Sequence, residues 1–192
     1  MKTLITRYKD FLYESSYTTP SDPEFYHIEK YEVIDGIMNC FEDVSLSDSH
    51  IHMIPFKFGR INGKFSCSKN LQLSSLENCP FYVRDNFYCS YTNITNLDHC
   101  PKYVGRDFHM EGLSCINNLD DYPVCIIKGE LYGIPAPQKY FNRVCEIIKN
   151  NEDLFTPLLD NKLAFHQQVM RIDPSFIEFY HNISPPSTRT II

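Results

Sequence analysis

Apolar and polar positions along this chain recur every 21 or so residues, rather than only at the short spacings of an isolated helix or strand. Val44, Phe65, Phe87, Phe108 and Leu131 form one apolar column, with spacings of 21, 22, 21 and 23. A second column, Ile61, Val83, Val104 and Ile127, stands four residues before it in each copy. Two copies read Phe65-Ser66-Cys67-Ser68 through Leu76-Glu77-Asn78-Cys79-Pro80, and Phe87-Tyr88-Cys89-Ser90 through Leu97-Asp98-His99-Cys100-Pro101. A third runs from Phe108-His109-Met110 through Ile116-Asn117-Asn118-Leu119 to Tyr122-Pro123. Shorter copies begin at Val44-Ser45-Leu46 and at Leu131-Tyr132-Gly133. Several columns held in phase mark an internal repeat, and a repeat of this length marks a solenoid.

The physical expectation follows from the period. No single copy can bury its apolar side alone, so neighbouring copies must stack. Each copy is expected to supply one short strand, a turn and a return segment. The strands then form one short, parallel, leucine-rich-repeat-like sheet of about four to five repeats. Side chains alternate across a strand, which turns Phe65 with Cys67, Phe87 with Cys89, and Phe108 with Met110 toward the core. The turn columns Ile51, Leu73, Ile94 and Ile116, then Ile54, Leu76, Leu97 and Leu119, are expected to point inward as well.

The flanks change character. Leu4, Ile5, Tyr8, Phe11 and Leu12 have helical spacing, with Thr3 as N-cap, which predicts an N-terminal helix covering the first strand. Residues 16–24 read as a linker, and 29–43 as one or two strands that begin the sheet. After Pro135-Ala136-Pro137 the stripe Tyr140, Phe141, Val144, Ile147 and Ile148 predicts a helix. Leu154, Leu158, Leu159, Leu163, Phe165 and Val169 predict one or two more, and Phe176, Ile177 and Tyr180 another. The expected class is therefore an α/β solenoid with an N-terminal helix and a C-terminal helical cap. Its divisions are 1–30 for the N-terminal cap, 31–135 for the solenoid, and 136–192 for the helical region with a flexible tail around Ser184-Pro185-Pro186-Ser187-Thr188.

Composition narrows the function classes. Lys and Arg number 18 against 24 Asp and Glu in 192 residues, a net charge of −6. That balance argues against a general nucleic-acid binder, which needs a basic face. No apolar run is long enough for a membrane-spanning helix. Charges lie where a secretory leader would be apolar, so an intracellular protein is expected. The eight cysteines contain no CxxC pair, and Cys67, Cys79, Cys89 and Cys100 fall in repeat columns, so they read as small core hydrophobes. His50 and His52 flank Ile51 and read as surface histidines. Cys145 reads as buried filler. No nucleophile elbow, phosphate-binding glycine loop or HExxH occurs, and no cofactor or metal site is expected.

The repeat resembles the small leucine-rich-repeat-like proteins encoded by tailed bacteriophages. The resemblance is carried by Phe65-Ser66-Cys67-Ser68, Phe87-Tyr88-Cys89-Ser90, the two Leu-x-x-Cys-Pro segments ending at Pro80 and Pro101, Val104-Gly105-Arg106-Asp107, and Ile54-Pro55-Phe56-Lys57-Phe58-Gly59. It spans roughly Tyr31 to Pro135. Val83-Arg84-Asp85-Asn86 lacks the glycines, the copy at Phe108 lacks the Cys-Ser, and the turn asparagine present as Asn70 is Thr92 in the next copy. The resemblance implies a phage accessory protein acting in the host bacterial cytoplasm, without catalytic residues.

The outward face of the strands is the candidate binding surface. Alternation places Ser45, Ser66, Tyr88, His109 and Tyr132 in one outward row, and Ser47, Ser68, Ser90 and Glu111 in another. Ser66, Tyr88, His109 and Tyr132 are the expected partner contacts, tyrosine being enriched at interface hot spots. The expected function is non-enzymatic binding and inhibition of a host protein, such as a defence factor. The alternatives are a virion structural or decoration component, and an enzyme using Cys145, His166 or His181. Self-association through open sheet edges is a further expectation.

Overall fold

A computed structural model describes residues 20–116, 119–134 and 138–180. The predicted N-terminal helix, the segment Pro135-Ala136-Pro137, and the tail with His181 lie outside the described residues. The repeats wind into a parallel β-solenoid of about four turns. Among the described residues eleven short strands build it: β1 Tyr31–Ile34, β2 Ile37–Cys40, β3 Val44–Ser45, β4 Phe58–Ile61, β5 Phe65–Ser66, β6 Tyr82–Val83, β7 Phe87–Tyr88, β8 Tyr103–Val104, β9 Phe108–His109, β10 Ile126–Ile127 and β11 Leu131–Tyr132.

The expected single sheet is corrected to two. One has six strands in the order β1-β2-β4-β6-β8-β10, and the other five in the order β11-β9-β7-β5-β3. Each full repeat therefore contributes two strands. The column Ile61, Val83, Val104 and Ile127 belongs to the first sheet, and Val44, Phe65, Phe87, Phe108 and Leu131 to the second. A tight corner joins them, and side chains stitch it to the next turn. Asp43 Oδ1 accepts from Lys64 N at 2.9 Å, Asn86 Oδ1 from Asp107 N at 3.3 Å, and Asp107 Oδ1 from Glu130 N at 3.0 Å. At the third corner a Cβ on Gly105 would lie 1.9 Å from the Arg84 carbonyl oxygen, so only glycine fits without moving the backbone.

The core runs along the solenoid axis. Phe65, Phe87 and Phe108 are fully buried, each worth roughly 1.5–3 kcal/mol relative to exposure. Phe65 stacks on Phe87 with centroids 5.9 Å apart, and Phe87 meets Phe108 edge to face at 4.8 Å. The inward turn columns Ile51 to Ile116 and Ile54 to Leu119 are buried, as are Cys67, Cys89 and Cys100, while Cys79 is partly buried against the same core. All eight cysteines are free.

Asn70 carries the first full turn. Its side chain is wholly buried. Nδ2 donates to the carbonyls of Leu46 and Cys67, both at 2.8 Å, and Oδ1 accepts from Ser49 N at 3.1 Å and Ile51 N at 3.2 Å. Thr92 fills the next copy with less, donating from Oγ1 to the Cys89 carbonyl at 2.9 Å.

The core is covered at both described ends. A 3-10 turn, Pro23–Tyr26, places Tyr26 against Phe56 at 5.9 Å. At the other end α1 Gln138–Asn150, α2 Glu152–Phe155 and α3 Lys162–Ile172 are followed by a six-residue 3-10 segment, Pro174–Phe179. Phe141, Val144, Cys145, Ile148, Phe155, Phe165, Val169 and Phe176 are buried in this cap. Leu154 and Leu163 depart from the expected apolar stripe and stand 51% exposed. No helix among the described residues is long and apolar enough to cross a membrane.

Candidate functional site

The outward row of the five-stranded sheet is assembled by its register. Ser45 pairs with Ser66, Ser66 with Tyr88, Tyr88 with His109, and His109 with Tyr132. In a parallel in-register sheet like side chains stand about 4.8 Å apart, a spacing that lets planar rings stack. Tyr88 and His109 stack at 4.6 Å and 15°, and His109 and Tyr132 at 4.7 Å and 12°. The imidazole is thus held between two phenol rings, all three half-buried. Ser66 continues the row as a small polar position, its Oγ 2.6 Å from Ser47 Oγ.

Hydrogen bonds fix the ring edges. Asn86 Nδ2 donates to the Tyr88 hydroxyl at 2.8 Å, and His109 Nδ1 lies 3.2 Å from Glu111 Oε1. Burial opposes ionisation of the Glu111 carboxyl. Hydrogen bonds from Ser90, its own backbone and His109 outweigh that and hold its pKa below the ordinary value. At the far end a hydrogen bond to Glu130 pushes the Tyr132 hydroxyl pKa up.

The second row is less outward than alternation predicts. Ser90 is buried; its N–H donates to Ser68 Oγ at 3.0 Å, and its hydroxyl donates to the Glu111 carboxylate. This row braces the ring stack from beside it. The reason lies in the backbone: Lys69, Tyr91 and Gly112 have φ of 62°, 56° and 76°, so each strand turns away just after this position.

A second stack, which the sequence reading does not place, lies on the other sheet. On the six-stranded sheet Tyr82 lies over Tyr103 at 4.9 Å and 3°, and the Arg60 guanidinium sits 3.8 Å from the Tyr82 centroid. Its signal was available, since Tyr82 and Tyr103 each precede a core valine, but recognising it requires the second strand of each repeat.

The other predicted positions separate from this surface. His50 and His52 are exposed on either side of buried Ile51. No group of three or more potential metal ligands occurs among the described residues. Cys145 is buried under Tyr122, whose hydroxyl is 3.1 Å from Sγ, and burial pushes its thiol up to about 11. Burial likewise holds Cys67 and Cys100 at about 12, which favours neutral, packed thiols over nucleophilic thiolates. A cleft of about 160 Å³ lies at the seam between solenoid and cap, lined by Lys102, Asp160 and Lys162 among others. Lys102 Nζ donates to the Leu159 carbonyl at 2.5 Å, with Asp160 at 3.6 Å. Comparison with protein-family models, curated proteins and solved structures gives no match to this chain.

Proposed function

We propose that this chain is a non-enzymatic protein-binding module whose contact surface is the row Ser66, Tyr88, His109 and Tyr132. The observation that supports this reading is the continuous Tyr88–His109–Tyr132 stack. Half-buried rings already fixed by neighbours lose little side-chain freedom when a partner covers them. Tyrosine and histidine offer an apolar body with a polar edge, the combination that interface centres favour. The setting rests on the leucine-rich-repeat-like resemblance: a phage accessory protein that binds and inhibits a host protein in the bacterial cytoplasm.

The test begins with affinity capture from phage-infected cells expressing the tagged protein. A stoichiometric host protein should be recovered by the wild type and lost by the Tyr88→Ala, Tyr132→Ala variant. It should be retained by Tyr82→Ala, Tyr103→Ala, which removes the same chemistry from the other sheet. Equal loss in both variants, or retention in both, overturns the assignment of the surface. Recovery of capsid or tail proteins instead assigns the chain to the virion.

A further inference from the structure

The solenoid ends in an unusual strand. β1 is the outermost member of its sheet and the one that pairs antiparallel, through a two-residue turn at Asp35-Gly36. All four of its residues are exposed, with Tyr31 at 41%, Val33 at 55% and Ile34 at 54%. Its partner β2 uses one half of its backbone groups. The Phe41 N–H donates to the Lys30 carbonyl at 2.7 Å, and Tyr31 stands opposite Cys40. In the alternating antiparallel pattern, Lys30, Glu32 and Ile34 therefore direct their backbone groups at β2, and Tyr31 and Val33 direct theirs away from the sheet. An exposed apolar edge of this kind templates another strand.

Charge selects the occupant. Residues 29–36 hold the acids Glu29, Glu32 and Asp35 and one cation, Lys30, and the Glu42 carboxylate accepts from the Glu29 and Lys30 N–H groups at 2.6 and 2.7 Å. A second copy fits poorly. Antiparallel self-pairing through both free positions sets Tyr31 against Val33 of the second copy. That register places Glu32 opposite its own counterpart in the closest cross-strand position, where like charges repel. We infer that β1 receives an extended peptide strand from a partner protein, with apolar residues opposite Tyr31 and Val33 and a lysine or arginine opposite Glu32. Backbone hydrogen bonds would supply affinity and the basic residue selectivity. This edge belongs to the other sheet from the ring stack, so the inference stands independently of the function proposed above.

The experiment is a backbone amide NMR titration of the full chain with the peptide acetyl-Thr-Val-Lys-Val-Thr-amide, beside its glutamate-for-lysine counterpart. Saturable shifts centred on the Tyr31 and Val33 amides are expected, with affinity for the lysine peptide about tenfold higher. Glu32→Lys should reverse the preference. Val33→Pro removes an outward N–H that an edge strand can spare, and should abolish the shifts without lowering Tm. Equal response to both peptides, or none at Tyr31 and Val33, overturns the inference. Protection of these two amides before peptide is added also overturns it. Protection that grows with protein concentration would assign the edge to a second copy, and concentration-independent protection to the chain's own remaining residues.

Discussion

Asn70 offers the sharpest test of how the solenoid is held together. Replacing it with alanine removes two short donated and two accepted hydrogen bonds, to Leu46, Cys67, Ser49 and Ile51, along with a longer donation to the Ser68 carbonyl at 3.4 Å. No other side chain replaces the amide, and burial keeps bulk water from these groups. At about 1 kcal/mol net for each neutral bond, the loss is about 4 kcal/mol. That is a large share of the roughly 5–15 kcal/mol that holds a domain folded. Thr92→Val is the internal control, because it removes one bond at the corresponding position and should cost about 1 kcal/mol. Urea unfolding followed by far-ultraviolet circular dichroism suits a chain without tryptophan, and the midpoints at equal slope give both differences. If Asn70→Ala costs no more than Thr92→Val, the amide is not the inter-turn clamp described above and the reasoning fails.

Two further predictions concern the cap and the corner. His166 is buried, with Nδ1 3.1 Å from the Tyr180 hydroxyl and Nε2 without a hydrogen-bond partner among the described residues. Burial first, then Lys162, lowers its pKa from 6.5 to about 4, with Asp120 opposing. The unfolded chain therefore takes up a proton that the folded chain refuses. The stabilisation is complete above pH 6.5 and is lost as pH falls to about 4, a change of roughly 3 kcal/mol. Tm measured across this range should fall more steeply for the wild type than for His166→Phe; parallel curves would remove His166 from the account. Gly105→Ala forces a Cβ against the Arg84 carbonyl and should cost about 1–3 kcal/mol by overpacking, read as a lowered urea midpoint. An unchanged midpoint would mean that the corner yields freely.

Much of the solenoid was legible because its core columns are written twice or more. Phe65, Phe87 and Phe108 repeat the same inward position, and Ser66, Tyr88, His109 and Tyr132 repeat the outward one beside it, so the register followed directly from the spacing. The second sheet was hidden by shortness. Ile61 and Phe65 lie only four residues apart, and strands of two residues are too brief to display an alternation of their own. The brace formed by Ser90 and Glu111 was hidden for a different reason. Alternation assumes that the strand continues, and here the backbone turns at Tyr91 with positive φ. In the cap, helical spacing located α1 and α3 but not the exposure of Leu154 and Leu163, since which face is covered depends on where the solenoid ends.

The corner bonds from Asp43, Asn86 and Asp107 also bear on how the protein is made. Each acceptor belongs to an earlier turn and each N–H to the turn that follows it, 21 to 23 residues later. The growing chain thus leaves the ribosome with its most recent turn presenting a waiting acceptor, and the next turn needs only its immediate predecessor as a mould. Contacts of such uniform, short sequence range favour sequential zippering over a search for distant partners. The cap, packed on β10 and β11 and following every described turn in the chain, then seals the growing end of the solenoid.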